Sequence, residues 1–282
     1  MPIRIITDST ADLTPALKEK VTVIPLSIHF GEETFVDGVT IDHTMFYEKL
    51  ARCSTLPSTS QVGPFVFEKA FREAVDAGDT VVAITISSKL SGTYQSAAIA
   101  ASEFPGKVFV VDSLNVTIGS AVLVQYVQDL AERGMDAASI VEELTRQRNK
   151  IHMIAILDTL DYLKKGGRIS SAAAMAGGLL NIKPVICAEN GELKMLGKAR
   201  GAKQASLLLT QEVGKAGGID FTKPVLLGYT GLNPALLEKF TADSAALWSE
   251  CDTIPSSTLV GSVVGTHAGP GAVAVAFFSA EK

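Results

Sequence analysis

Hydroxyl and imidazole side chains lie in three separate segments of the chain that could together bind an anion. The segments are 58–61 (Ser-Thr-Ser-Gln), 87–93 (Ser-Ser-Lys-Leu-Ser-Gly-Thr) and 265–271 (Gly-Thr-His-Ala-Gly-Pro-Gly). Each segment supplies hydrogen-bond donors of the kind that hold a carboxylate or a phosphate. Taken singly, each also has a structural interpretation as a turn, a helix cap or a core histidine.

The second and third segments have the stronger signals. The second joins a predicted buried strand to a predicted helix, where free backbone amides favour an anion, although Ser91 could simply cap the helix. In the third, glycines and a proline surround His267, which indicates a tightly specified backbone and a close approach to a ligand. The lysine and glycine spacing of a nucleotide-binding loop is missing from the sequence, so no nucleotide site is predicted.

A serine-type acyl hydrolase is an alternative at the level of residue types. Ser91 and His267 could form a triad in which Asp8, Asp112 or Asp158 orients the histidine. The nucleophile-elbow pattern of such enzymes is missing, and residue types without geometry do not establish a triad.

Neither a metal site nor a disulfide framework is predicted. The four histidines are scattered without the spacing of a zinc helix, and the three cysteines are odd in number and widely spaced. We therefore expect no metal and no cofactor.

The composition indicates a globular protein. Hydrophobic residues make up 47% of the 282 residues and charged residues 20%, which is sufficient for a large core. A formal charge of -5, without a cluster of Lys and Arg, argues against a nucleic-acid partner.

The chain starts directly with the apolar run 3–6, and no apolar segment approaches roughly 20 residues. We therefore expect no signal peptide, no membrane span and a cytoplasmic protein.

The first half of the chain alternates short β-rich runs with helical patterns, which predicts a parallel sheet with crossover helices. Three predicted strands, 3–7, 81–86 and 108–111, each run into a pair of polar residues. Ligands of open α/β sheets bind beyond the carboxyl ends of the strands, so these pairs mark one rim of a candidate site. Thr14 before Pro15 predicts the start of the first helix.

A polar run at 146–150 predicts the boundary between an N-terminal α/β domain, 1–150, and a C-terminal α/β domain, 151–282. We expect the ligand tunnel to lie between or near the two. Asn190-Gly191, flanked by β-rich runs, predicts an antiparallel hairpin of strands 184–188 and 192–196. The other predicted elements of this domain are strands 153–157, 225–229 and 273–278, a helix ending at 164–167, and helices 171–178, 203–215 and 234–246.

Six ordered blocks of the sequence resemble the DegV family, and together they span nearly the whole chain. The blocks are 8–13 (Asp-Ser-Thr-Ala-Asp-Leu), 59–61 (Thr-Ser-Gln), 90–94 (Leu-Ser-Gly-Thr-Tyr), 157–170, 182–184 (Ile-Lys-Pro) and 266–271 (Thr-His-Ala-Gly-Pro-Gly). Members of that family resemble the fatty-acid-binding subunit of bacterial fatty acid kinase, often called FakB. The resemblance implies a two-domain α/β protein that holds one long-chain fatty acid in an internal tunnel.

The resemblance also implies which residues bind the lipid. Thr59, Ser91 and His267 would hold the fatty-acid carboxylate, and the loop backbone at Ser60 and Gly92 would support them. The sequence alone leaves the protonation state of His267 open.

By the same resemblance, a separate ATP-dependent fatty acid kinase would be the partner. Arg168, after the double glycine, and Arg200, after the hairpin, would contact that kinase rather than the lipid. The chain would then be a carrier of fatty acid or acyl phosphate and not an enzyme, with peripheral or transient membrane contact allowed. A lipid-sensing regulator is a further alternative.

The sequence departs from the family pattern at Val62, where a proline commonly follows Thr-Ser-Gln.

Overall fold

The computed structural model describes residues 2–170, 181–251 and 253–280, and it confirms a mixed α/β fold. The strands are β1 (Ile3–Asp8), β2 (Thr22–Ile24), β3 (Ser27–Phe30), β4 (Glu33–Val36), β5 (Ser58–Ser60), β6 (Thr80–Thr85), β7 (Val108–Asp112), β8 (Ile151–Ile156), β9 (Ile182–Glu189), β10 (Glu192–Arg200), β11 (Leu226–Tyr229), β12 (Ser257–Leu259) and β13 (Val273–Phe278). The α-helices are α1 (Pro15–Lys18), α2 (His43–Arg52), α3 (Pro64–Asp76), α4 (Thr93–Ala101), α5 (Ile118–Glu132), α6 (Ala137–Gln147), α7 (Asp161–Lys165), α8 (Ala202–Lys215), α9 (Ala235–Asp243) and α10 (Ser262–Ala268).

The first half of the chain builds a parallel sheet of four strands in the order β2-β1-β6-β7. Strand β6 is buried along its whole length, as expected for a parallel sheet that is covered on both faces. Because parallel strands share one direction, β1, β6 and β7 end at the same edge of the sheet, as the sequence predicts. The loops that leave this edge carry Thr10 and Ser91.

The second half builds a mixed sheet of six strands in the order β10-β9-β8-β13-β11-β12. The predicted hairpin is confirmed: β9 and β10 are antiparallel, and Asn190 and Gly191 between them have φ of 51° and 83°. One face of this sheet packs under helices α8 and α9, while α5 packs on the other face. Among the described residues, no helix is both long and apolar enough to cross a bilayer.

A small antiparallel sheet, β4-β3-β5, lies outside the sequence-based predictions. Its strands have three or four residues each, which is too short for a hydrophobic period to stand out. Thr59 is the central residue of β5, the edge strand of this sheet, and is paired with Ile28 of β3.

Most predicted elements of the second half lie within a few residues of their predicted bounds. Strand β8 begins two residues earlier than predicted, at Ile151, and α9 ends at Asp243 before a short 3-10 helix, Ala245–Trp248. The predicted helix 171–178 lies outside the described residues. The division into domains at residue 150 stays a prediction.

The segment around His267 contains helix α10, which the sequence analysis did not predict among its glycines. Gly265 lies inside this helix for reasons of packing. A Cβ at Gly265 would lie 2.7 Å from the Tyr47 hydroxyl oxygen and 2.8 Å from a ring carbon of Phe46. The glycine therefore lets α10 pack closely on α2, and Gly269, with φ of 70°, ends the helix.

The carboxylate of Asp12 joins three parts of the fold. Asp12 lies in the loop after β1 and is 4% exposed. It accepts a hydrogen bond from the backbone N–H of Gly261 at 2.6 Å and one from the Thr117 hydroxyl at 2.5 Å. Gly261 precedes α10 and Thr117 precedes α5, so one side chain positions the starts of both helices.

We expect Asp12→Ala to lower the free energy of unfolding by about 2–4 kcal/mol, because two buried donors lose their acceptor. Asp12→Asn keeps an acceptor oxygen and is the matched control, with a smaller expected loss. Urea unfolding of both variants at neutral pH measures the difference. Equal losses in the two variants would contradict the assignment.

The pKa of Asp12 predicts a pH dependence of stability. Burial raises this pKa from 3.8 to about 7, against the lowering effect of its two hydrogen bonds. Between these pH values the folded state keeps a proton that the unfolded state has released, so stability from this group falls as pH rises from about 4 to about 7. Measuring the free energy of unfolding of the wild type and of Asp12→Asn at several pH values isolates this effect. A difference between the two proteins that stays constant from about pH 4 to about pH 7 would contradict it.

Candidate ligand-binding site

A cavity of about 370 Å³ lies between the loops of the first half and one face of the six-stranded sheet. This size falls within the roughly 300–1,000 Å³ of typical small-molecule sites. Most of its wall is apolar, with Ile86 and Val116 on one side and Met153, Ile186 and Ala274 of the sheet on the other. The lining suits a largely apolar ligand.

The structure brings the three predicted carboxylate-binding residues to the wall of this cavity. Thr59 Oγ1 and His267 Nε2 are 2.9 Å apart and hydrogen-bonded, although 208 residues separate them in sequence. Ser91 lines the same cavity, as do Ser60 and Gly92. The polar groups of three distant segments are therefore combined into one site.

Thr59 is positioned by the alternation of its strand. In β5, Ser58 and Ser60 are exposed and Thr59 is half-buried, because neighbouring side chains point to opposite faces. His29 of β3 hydrogen-bonds the Ser60 hydroxyl through Nε2 at 3.0 Å and thereby holds the strand from its outer side. Val62, at the position of the family's proline, is buried and anchors the chain after the strand.

Ser91 lies two residues before the first residue of α4 and is not the N-cap residue that the plain structural interpretation predicts. The N-cap residue is Gly92, which has no side chain to make a cap bond. The Ser91 hydroxyl lies 2.9 Å from the Thr93 hydroxyl and accepts the Thr93 backbone N–H at 3.3 Å. Its oxygen thus lies at the start of α4, on the cavity wall.

Gly92 connects the Ser91 loop with the Thr59 strand. A Cβ at Gly92 would overlap the side-chain amide of Gln61, which follows β5 and donates a hydrogen bond to Ser96 of α4 at 3.3 Å. Only a residue without a side chain leaves room for Gln61 at the start of α4. The glycine therefore keeps the two hydroxyl-bearing segments in contact.

His267 is held in the last turn of α10 by close packing against Gly166. A Cβ at Gly166 would overlap Nδ1 of the imidazole, and this nitrogen is buried without a hydrogen-bond partner among the described residues. Burial, and to a smaller extent the charge of Arg168, lowers the pKa of His267 to about 4. The imidazole is therefore neutral near pH 7, and one ring nitrogen carries a proton.

Arg168 lines the cavity, whereas the sequence assigns it to a partner surface. Its guanidinium donates to the Gly166 carbonyl at 2.6 Å and to the Leu90 carbonyl at 3.3 Å. It thereby joins the turn that packs on His267 to the loop that carries Ser91. Arg200, by contrast, is exposed at the end of β10, and a kinase contact stays a prediction for both arginines.

No Ser-His-Asp triad is formed among the described residues. Asp8 accepts bonds from Thr10 and from the Ile86 backbone, Asp112 accepts backbone N–H groups at the start of its loop, and Asp158 pairs with Lys183. None of the three carboxylates bonds His267. The polar pairs at the strand ends do mark the edge of the sheet at which the cavity lies. Their aspartates, however, stabilise the loops and do not line the cavity.

Three threonines of the cavity wall were missed by the sequence analysis. The Thr10 hydroxyl donates to Asp8 and the Thr117 hydroxyl to Asp12, each at 2.5 Å, so these two side chains leave methyl groups as their remaining surface. The Thr230 hydroxyl accepts the Ala272 backbone N–H at 2.7 Å and keeps its own hydrogen as a donor. Segment 8–13 was the signal in the sequence that could have pointed to these threonines. Only the fold shows that the aspartates of this segment accept hydrogen bonds from threonines of the cavity wall.

Within the described residues, no group of three or more His, Cys, Asp or Glu side chains could hold a metal ion. The polar residues of the cavity are mainly donors and neutral hydroxyls, with Arg168 as the charged group. Such a donor set matches an anionic head group.

Comparisons of sequence agree on the family. The DegV family model, described as a family of uncharacterised proteins, matches residues 2–280. A curated DegV domain-containing protein from Deinococcus radiodurans is 36% identical over 284 residues, which covers 98% of each chain.

Solved structures share the fold. A Thermus thermophilus DegV family protein, whose structure is described as showing fatty acid binding, matches with a TM-score of 0.88 and 32% identity, over 99% of this chain and 100% of that chain. The Streptococcus pneumoniae Fatty Acid Kinase (Fak) B3 protein, loaded with linoleic acid, matches with a TM-score of 0.84 and 25% identity, over 99% of each chain. The chain described here therefore belongs to the DegV family.

Proposed function

We propose that the chain binds one long-chain fatty acid, with the carboxylate at Thr59, Ser91 and His267 and the acyl chain in the apolar cavity. The observation that carries the proposal is the distribution of polarity in this cavity. The donor side chains of the Thr59, Ser91 and His267 segments bond one another or the neighbouring Thr93, whereas the Thr10 and Thr117 hydroxyls of the wall donate to buried aspartates. Fatty acids bound to family members support the same ligand class.

The energetics of this ligand require such an arrangement. Burying a chain of about 16 carbons at roughly 0.8 kcal/mol per methylene contributes on the order of 12 kcal/mol. The carboxylate would lose its hydration in the cavity, which is unfavourable unless donors replace the water. Two hydroxyls and a neutral imidazole supply these donors, and the nearby Arg168 guanidinium favours negative charge.

We further propose that the chain is a carrier which presents the carboxyl group to a separate ATP-dependent fatty acid kinase in the cytoplasm. The similarity to the Fak B3 protein supports this partner. Arg200 is an exposed cation at the end of β10 that a partner could reach, and Arg168 borders the carboxylate end of the cavity. The carrier would then supply substrate for chemistry that the kinase performs.

Solvent extraction of the denatured protein tests the binding itself. Protein purified from a lipid-replete bacterium should yield about one fatty acid per chain, because the cavity has one polar end. Mass spectrometry of the extract identifies and counts the ligand. Consistent recovery of none would overturn the proposal.

Single substitutions should separate lipid binding from partner contact. Ser91→Ala and Thr59→Ala should each weaken fatty-acid affinity by about 10- to 100-fold, since each removes a hydrogen bond to a charged group. Ser88→Ala is the matched control, because Ser88 is exposed in the same loop and does not line the cavity. Arg200→Ala should keep the lipid and reduce acyl-phosphate formation by the kinase, and the reverse pattern would contradict the assignment.

Gly166→Ala should weaken fatty-acid affinity by about tenfold or more without unfolding the protein. The added methyl group would overlap Nδ1 of His267 and displace the imidazole from its 2.9 Å contact with Thr59. Gly214→Ala in α8 is the control, because its Cβ would meet nothing within 4 Å. Fatty-acid titrations of both variants measure the effect, and unchanged affinity in Gly166→Ala would show that the imidazole position does not matter.

A further inference from the structure

The floor of the cavity is one face of the six-stranded sheet, and strand pairing arranges its residues in rows across the strands. The middle row is Ile186 of β9, Ala155 of β8, Ala274 of β13 and Gly228 of β11, each paired with the next. All four line the cavity. Ala155, Ala274 and Gly228 have no side-chain atoms beyond Cβ, so the middle row forms a shallow trough in the floor of the cavity.

The carboxylate end of the cavity lies beyond one end of these strands. Helix α10 ends just before β13 starts, and Gly271 lies 3.4 Å, measured from its ideal Cβ, from Cβ of Asp158 at the end of β8. His267 therefore lies at the β8 carboxyl end. The first row on that side contains Leu157 and Ala272, which both line the cavity.

The third row closes the opposite end. It contains Met153, paired with Ala276, which in turn is paired with Leu226. Of these three residues, Met153 alone lines the cavity. Since residues two apart on a strand are separated by about 6.8 Å, the floor extends two full rows from the His267 end to the row of this methionine, where Leu193 of β10, paired with Ala188, also lines the cavity.

Met153 is held from above by helix α5. A Cβ at Gly119 of α5 would lie 3.1 Å from Cβ of Met153, so the helix packs directly on this part of the strand. Val116 and Thr117, which precede α5, also line the cavity. The strand and the helix together fix the position of Met153 in this row of the cavity wall.

We propose that Met153 limits the length of the acyl chain that the cavity accepts, and that Ala155 and Ala274 keep open the path to it. This inference rests on the proposed fatty-acid binding and deepens it by naming the residues that select chain length. An unbranched, flexible side chain at the end wall can adjust to a chain terminus, whereas bulk on the trough floor blocks the path.

Met153→Ala tests the end wall. The substitution removes three side-chain heavy atoms, so the mean length of the co-purified fatty acids should rise by roughly two to three carbons. Met195→Ala is the matched control, because Met195 of β10 is paired with Ile186 of the same sheet and does not line the cavity. It should leave the length distribution unchanged.

Ala274→Val tests the trough in the opposite direction. Two added carbons at the middle row should shift the bound population to shorter chains, measured also by competition within a series of saturated fatty acids. Ala205→Val controls for overpacking, because Ala205 of α8 is buried against the opposite face of the sheet and does not line the cavity. If Met153→Ala does not fold, Met153→Val and Ala274→Val carry the test.

The outcomes separate this inference from the proposed function. Folded Met153 and Ala274 variants with the wild-type length distribution would overturn the chain-length assignment while leaving fatty-acid binding intact. Absence of fatty acid from the wild type itself would overturn the proposed function. Opposite shifts in the two variants, with both controls unchanged, would support the assignment.

Discussion

The site depends on one buried interaction between the first loop of the chain and the helix that carries His267. The Asp12 carboxylate accepts the backbone N–H of Gly261 at the start of α10 and, with its other oxygen, the hydroxyl of Thr117. The carboxyl group provides an acceptor for two donors that burial would otherwise leave unpaired. The position of α10, and through it the 2.9 Å contact of His267 with Thr59, follows from this connection.

The same carboxylate helps to make the cavity apolar. A threonine whose hydroxyl is taken up by a buried aspartate presents the cavity with hydrocarbon, as Thr117 and Thr10 do with Asp12 and Asp8. The energetic penalty of two buried carboxylates, reflected in their raised pKa values, is therefore coupled to the construction of a dry wall. Polar residues in the wall of a cavity therefore need not make its surface polar.

At the other end of the cavity the electrostatics are reversed. Burial and the charge of Arg168 keep His267 neutral, so the site provides donors and one nearby cation. An arriving carboxylate would raise the pKa of His267, because opposite charges stabilise each other. In the proposed function such a site would stabilise an anion by hydrogen bonds, and among the described residues none of Asp8, Asp112 and Asp158 bonds His267.

The sequence by itself determined what depends on local pattern. Alternation, turn residues and caps located β1, β6, β7, the β9–β10 hairpin, α4 and α8, and the six ordered blocks pointed to the family and to Thr59, Ser91 and His267. These signals arise from neighbours in the chain, so they survive without knowledge of the fold.

Tertiary structure alone decided what depends on packing between distant residues. The short strands β3–β5 form because they pair with each other, and Gly265 is helical because α2 lies against it. Pairing across β8, β13 and β11 brings Met153 and Ala274 to the wall of one cavity, and the Arg168 guanidinium bonds carbonyls on both sides of the site. None of these contacts has a local signature, because each is specified by the position of a partner far away in the sequence.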